Sequence, residues 1–368
     1  MRVPYVFAVG KSRYWAALVF AFVSVGVAAC SAPWNGPVTP GGASQAGPYA
    51  RPVATQTPIP WVAWYTVNDS GLPGPNNNIT GIQDANGVVG VNYGNSSGSA
   101  QSFDASPAPS GYGNFNTLAD SGMSVTYVWG RANAAHGGEV GYGVPQGGSY
   151  PCNPCGVTHG NNWQVVNNPA AGNCNNTTLR GIDSSWIAVG YYLAGSGCAT
   201  AAPFEQYTEA TCCSQGNPTT VFVPFSPPGP YDSAIATGVN GVGDVVGYST
   251  TSGASTGWYY SYFRYKQIAV PNATSTRPLG INWQDDIVGE YWTASGGPYG
   301  FLVQQPGGVQ YYQYPIYFKN DGKYGQTIPY SINDCANISG TYFDGSTGAY
   351  NGFVATSPSK NCSLGGTR

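Results

Sequence analysis

Charge is what this chain has least of: only 8% of its 368 residues are Asp, Glu, Lys or Arg. No basic stripe is available to neutralise phosphates, so a nucleic-acid partner is not expected. Histidine is scarcer still, with only His136 and His159, and a Ser-His-Asp arrangement would have to draw its base from these two. Gly94-Asn95-Ser96-Ser97-Gly98 fits G-x-S-x-G spacing, but a chain with 53 glycines produces such matches by chance. No helical pattern follows it, as a nucleophile elbow requires. Beyond the N-terminus no long stretch has a 3.6-residue apolar period, which excludes a helical core. No segment has the Asp-x-Asp-x-Asp-Gly spacing of a calcium loop. Cys152-Asn153-Pro154-Cys155 with His159 begins like a zinc site, yet the second close cysteine pair is missing, so neither metal nor cofactor is expected.

What is present begins with an export signal. Arg2, Lys11 and Arg13 precede an uncharged apolar run from Tyr14 to Ala29, too short to span a bilayer comfortably at about 20 residues. Val27-Ala28-Ala29-Cys30 resembles the lipobox of bacterial lipoproteins, which implies lipidation of Cys30 and a membrane partner through that anchor. Ser31 lacks the Asp that retains such proteins at the inner membrane, so an outer-membrane or cell-surface location is expected. The alternative is an ordinary secretory signal. Without Arg2, Lys11 and Arg13 the thirteen basic residues fall to ten, against sixteen acidic ones, for a net charge of −6. Residues 1–29 are the signal and 30–60 a Pro/Gly-rich tether. Residues 61–356 form the domain and 357–368 a tail.

Nine cysteines would leave one unpaired in an oxidising compartment. Lipidating Cys30 leaves an even set. Cys152, Cys155, Cys174, Cys198, Cys212 and Cys213 crowd together and suggest a disulfide-stapled insertion at about 150–215. Cys335 and Cys362 remain as a natural pair. Adjacent Cys212 and Cys213 are expected to bridge to different partners.

A repeat organises the rest: "GIQDANGVVGVNY" (81–93), "GIDSSWIAVGYY" (181–192), "GVNGVGDVVGYS" (238–249), "GINWQDDIVGEY" (280–291) and "SINDCANISGTY" (331–342). In each, a polar residue after Ile or Val is followed seven positions later by Gly90, Gly190, Gly247, Gly289 or Gly340. The gap from Gly81 to Gly181 is twice the usual step of about 50, and "AHGGEVGYG" (135–143) supplies a degenerate sixth copy. An apolar run opened by Gly follows ten to twelve residues later: "GWYY", "GFLV" and "GFVA". Short strands at roughly 10-residue spacing, in units of about 40 to 57 residues, predict an all-β, propeller-like array of about six units. Each unit would hold three to four short antiparallel strands.

"PNATSTRPLGINWQDDIVGEY…YGFLV" also resembles the extracellular HAF-type repeats of bacterial proteins. Their pattern runs Pro-Gly-Ala…Gly-Ile-Asn…Gly-x-Ile-Val-Gly-x-Tyr…His-(Ala/Gly)-Phe-Leu. The resemblance covers 236–356 and 80–93, and it implies a propeller-like β fold outside the cell. Tyr299-Gly300-Phe301 and Asn351-Gly352-Phe353 stand where that family has its His triplet, so no role of the His carries over.

The repeat decides how Asp285-Asp286 are read. They align with Asn86-Gly87, Gly243-Asp244, Ala336-Asn337 and Trp186-Ile187, the residues of a two-residue hairpin turn. The excess of 28 Tyr and 10 Trp is more informative. Trp258, Tyr260, Tyr291, Trp292 and Tyr312 are candidates for a ligand platform, with blade-to-blade packing as the alternative. The expected function is non-enzymatic binding of polysaccharide or of another surface protein. A carbohydrate-active hydrolase or lyase using acids such as Asp183, Asp244 or Glu290, and a structural spacer, are the alternatives.

Overall fold

Each repeat folds into one four-stranded antiparallel sheet, and six such sheets stand around a common axis. The computed structural model describes residues 63–357 apart from 68–75, 94–99, 109–110, 133–137, 147–151, 210–218, 305–310 and 318–325. The signal, the tether, Cys30, Cys212, Cys213, Cys362, His136 and the Gly94–Gly98 motif lie outside the described residues.

The chain enters through β1 (Ala63–Val67). Blade 1 is β2 (Asn77–Ile82), β3 (Val88–Asn92), β4 (Gln101–Ala108) and β5 (Gly111–Leu118). Blade 2 is β6 (Met123–Arg131), β7 (Glu139–Pro145), β8 (Cys155–His159) and β9 (Trp163–Val166). Blade 3 is β10 (Thr177–Ile182), β11 (Ala188–Ala194), β12 (Thr200–Glu209) and β13 (Thr219–Pro224). Blade 4 is β14 (Ser233–Val239), β15 (Val245–Thr251), β16 (Ala254–Ser261) and β17 (Arg264–Ile268). Blade 5 is β18 (Ser275–Ile281), β19 (Ile287–Thr293), β20 (Gly296–Gln304) and β21 (Tyr311–Ile316). Blade 6 has β22 (Thr327–Ile332), β23 (Ile338–Asp344) and β24 (Ala349–Thr356), and β1 is its fourth strand. That pairing, from Ala63↔Thr356 to Val67↔Gly352, ties the start of the domain to its end. The propeller is six-bladed, and the degenerate copy at 135–143 is blade 2, with Gly141 opposite Val128.

The core lies between blades. One cluster joins Val246, Tyr259 and Ile268 of blade 4 to Ile281, Tyr291 and Phe301 of blade 5. The repeat's second Gly has a specific part in it. Gly90 and Gly289 pair with Phe103 and Phe301 across the sheet, and a Cβ on either would stand 2.7 and 2.9 Å from those rings. Phe204 and Phe353 occupy the same place opposite Gly190 and Gly340, and all four rings are fully buried. Gly on β3, β11, β19 and β23 and an aromatic on the next strand are therefore one packing unit, at up to about 3 kcal/mol per buried ring.

The cysteine-rich stretch is not an insertion. Residues 155–209 supply β8 to β12 in regular blade order, because their apolar residues alternate toward the neighbouring blades as elsewhere. Cys152 bonds to Cys155 at the entry to β8, and Cys174 to Cys198 in the hairpin of β11 and β12. Cys335 is also disulfide-bonded.

Candidate ligand-binding site on the propeller axis

The first strand of every blade lines the axis, and all six run from one face of the disc to the other. Each carries a β-bulge at the same place, between Ile79 and Gly81 in β2 and between Leu179 and Gly181 in β10, for example. The residue after each bulge is Gly, or Ser331 in β22, and these close into a waist. A Cβ on Gly181 would stand 2.9 Å from Gly238 Cα, and one on Gly280 2.9 Å from Ser331 Cα. Backbone touches backbone there, which is why the repeat opens on Gly.

On one side of the waist lie the β-turns that join first and second strands. Asn282 Oδ1 accepts from the N–H of Gln284 and Asp286, at 3.0 and 2.9 Å. Its Nδ2 donates to Asn333 O of the next blade at 3.1 Å. Asn240 repeats the pattern and donates to Asn282 O at 3.0 Å, and Asn333 donates to Gln83 O at 2.9 Å. One side chain thus closes its own turn and fastens the next blade. The acidic pair belongs to this device: Asp285 sits at φ 62 and donates its N–H to Asn282 O, while Asp286 is buried. The turn is longer than the expected two residues, because Asn282 to Asp285 form a β-turn and Asp285 supplies the left-handed step after it.

Asp183 takes the Asn position in blade 3. Its Oδ1 accepts from Ser185 and Ile187 N–H at 2.8 Å each. Its Oδ2 is buried without a partner, at the place from which the Asn copies donate. Burial pushes its carboxyl up to about 7. Glu205 nearby is likewise pushed up to about 7, by burial and then by the charge of Asp183. A cavity of about 110 Å3 follows the axis past the waist, lined by Ile182, Val239, Ile281 and Ile332 on the turn side and reached by Trp129, Arg180 and Tyr330 from the other. It is smaller than the roughly 150 Å3 that admits benzene, so it offers room for waters and no sugar.

The other side of the waist is a bowl. Three bulge residues meet on the axis: the Arg180 guanidinium lies 4.0 Å from the Trp129 ring centroid, and Trp129 packs edge-on to Tyr330 at 6.5 Å. Above them the residues following the second Gly differ between blades. Val91 and Thr341 are buried in blades 1 and 6, whereas Tyr142, Tyr191 and Tyr248 of blades 2 to 4 are half-buried and the Glu290 side chain of blade 5 is 14% exposed. Tyr127 stacks on Tyr142 at 4.6 Å. Arg277 lies between Tyr248 and Trp292, at 5.0 and 4.6 Å, and contacts Glu290 at 3.5 Å and Ser255 at 3.0 Å. Burial raises the phenols of Tyr93, Tyr142 (to about 12), Tyr248 and Tyr330 above their ordinary value. Burial also raises Glu290, with Arg277 opposing.

The residues named from the sequence fall in different places in the fold. Trp258 and Tyr291 are 3% and 4% exposed and serve blade packing. Tyr260 packs between Phe225 and Tyr265, at 5.2 and 4.7 Å. Its ring is half-buried and packs against the core between blades 3 and 4. Trp292 is in the bowl, and the side chain of Tyr312, on β21, lies outside the described residues. Asp244 is buried on the turn side and accepts from Tyr259 Oη at 3.2 Å, so Asp183 and Asp244 stand across the waist from Glu290. His159 contacts Glu139 at 2.9 Å and stacks on Trp163. Among the described residues no group of three or more His, Cys, Asp or Glu could hold a metal. Sequence reasoning passed over Arg180, Trp129 and Tyr330. Their signal is position: each immediately precedes a waist residue, where β2 and β14 have Thr.

No protein-family model matches the chain and no curated protein is significantly similar to it, so the likeness to HAF-type repeats stands on the repeat residues quoted above.

Proposed function

We propose that this chain is an exported, lipid-anchored binding protein that recognises polysaccharide through the bowl without turning it over. The observation that carries the reading is the cluster of half-buried rings around the bowl: Tyr142, Tyr191, Tyr248 and Trp292 of blades 2 to 5, with Tyr330 of blade 6 beneath them. Sugar rings stack their C–H faces on such aromatics, and phenol hydroxyls exchange hydrogen bonds with theirs. Hydrolysis of a glycosidic bond commonly needs two carboxylates about 5 to 9.5 Å apart. Among the described residues the carboxylate facing the bowl is Glu290, already held by Arg277. The basic and apolar N-terminus with Cys30 supports export and anchoring, and two disulfides suit an oxidising compartment.

A glycan array run beside a polysaccharide-hydrolysis screen on the mature domain tests the reading. Binding without turnover is expected, weakened about tenfold or more by Trp292→Ala. Turnover abolished by one carboxylate substitution would sink it. Cys30→Ser should release the protein from membranes, and unchanged membrane association refutes the anchor.

A further inference from the structure

Resting on the reading of the bowl as a saccharide site, we propose that its ligand carries an acidic group, a carboxylate or sulfate, which Arg180 clamps. The two arginines of the bowl are differently committed. Arg277 has a carboxylate, a hydroxyl and two rings. Arg180 has rings alone, Trp129 at 4.0 Å and Tyr191 at 5.8 Å. It has no ion pair or hydrogen bond with any described residue, and its Nε is sealed from solvent without a partner.

A buried Nε–H without an acceptor is costly, and stacking on a ring face leaves the in-plane N–H groups of this half-buried guanidinium free to take one. That edge matches two oxygens of a planar or tetrahedral oxyanion in a bidentate contact. The position is specific as well. Thr80 and Thr237 fill the equivalent bulges of blades 1 and 4 and bond the next blade's backbone, Val128 O at 2.9 Å and Pro278 O at 2.8 Å. The scaffold thus has a structural solution at this position in two blades; the other four carry Trp129, Arg180, Leu279 and Tyr330, of which Arg180 alone is charged. The mature chain carries a net charge of −6, so long-range attraction does not bring in an acidic polymer. Recognition has to be local, at Arg180, with the phenols of Tyr191 and Tyr248 reading the neighbouring hydroxyls.

An array of neutral, uronate-bearing and sulfated oligosaccharides, probed with wild type, Arg180→Gln and Arg180→Lys, tests this. Hits are expected among the acidic members only. Arg180→Gln should weaken them about tenfold to a hundredfold, and Arg180→Lys less. Methyl-esterifying or desulfating the best hit, titrated against wild type, should cause the same loss and needs no variant to fold. Neutral glycans bound with affinity that Arg180→Gln leaves unchanged would overturn the clamp and leave the saccharide site standing. Absence of any saccharide hit overturns both. Inorganic sulfate binding as tightly as the best acidic glycan would make the bowl an anion site and overturn the saccharide reading.

Discussion

The two sides of the waist are built from the same six strands and treat their side chains in opposite ways. On the turn side Asn240, Asn282 and Asn333 repeat one set of bonds in three successive blades. On the bowl side the residue preceding the waist is Thr, Trp, Arg, Thr, Leu and Tyr in blades 1 to 6. Repetition marks what fastens blades 4 to 6 to the blades that follow them. At the bulge Thr80 and Thr237 fasten the next blade, and the variation among the other blades marks where a ligand contact can be placed. Substitutions should therefore act on folding on one side and on binding on the other.

The largest effect is expected at the waist itself. A Cβ at position 181 meets Gly238 Cα and Thr237 O, at 2.9 and 3.0 Å, and both are backbone. Gly181→Ala should destabilise by about 4 kcal/mol, since neither strand can yield without disturbing its own blade. Denaturant titration reads this directly; a loss below about 1 kcal/mol would mean that the blades are not in backbone contact. Next is Asn282→Ala. It orphans the buried N–H of Asp286, the part-buried N–H of Gln284 and the carbonyl of Asn333, for about 3 kcal/mol. A variant as stable as wild type would dismiss the ladder as a consequence of packing by other forces.

Asp183 breaks the ladder naturally, and Asp183→Asn should repair it. The folded carboxyl is raised from 3.8 to about 7. Below pH 4 both states hold the proton. Between pH 4 and 7 the unfolded chain loses it and the folded one keeps it, so stability falls as pH rises and is flat above. Glu205, raised from 4.5 to about 7, adds to the same window. The variant should gain about 2 kcal/mol at pH 8 and nothing at pH 4, less than the full linkage because an amide also has to be desolvated. Equal pH slopes in both proteins would clear Asp183 of the effect.

The repeat was readable because its constraints are steric and local. Gly280 and Gly289 are glycine since a Cβ would strike the next blade in one case and a Phe ring in the other. Such constraints recur at fixed spacing, and even blade 2 kept Gly141. The closing strand was not readable, because β1 pairs with residues nearly 300 positions away and has no repeat of its own to announce it. Nor was the bowl. Aromatic clusters drew attention to Trp258 and Tyr291, yet in a strand alternate residues face opposite sides, and the repeat turned those two inward. Arg180 escaped because a single charge in a β protein is ordinarily solvated; only the tally of residues before each waist position singles it out.

The smallest expected effect on stability is the sharpest test of the contrast. Tyr191 stands half-exposed in the bowl, 5.8 Å from the Arg180 guanidinium, and its hydroxyl bonds no described residue. Tyr191→Phe removes one oxygen, leaves the ring and the strand pairing Thr178↔Tyr191, and should change unfolding free energy by less than about 0.5 kcal/mol. Loss of the hydroxyl should nonetheless weaken glycan binding about fivefold to tenfold, the worth of one hydrogen bond formed only with ligand. Asn282→Ala should do the reverse, lowering stability while the fraction that remains folded binds with unaltered affinity. If Tyr191→Phe instead unfolds the protein or leaves binding intact, the bowl is one more packing surface, and the distinction between the two sides of the waist fails.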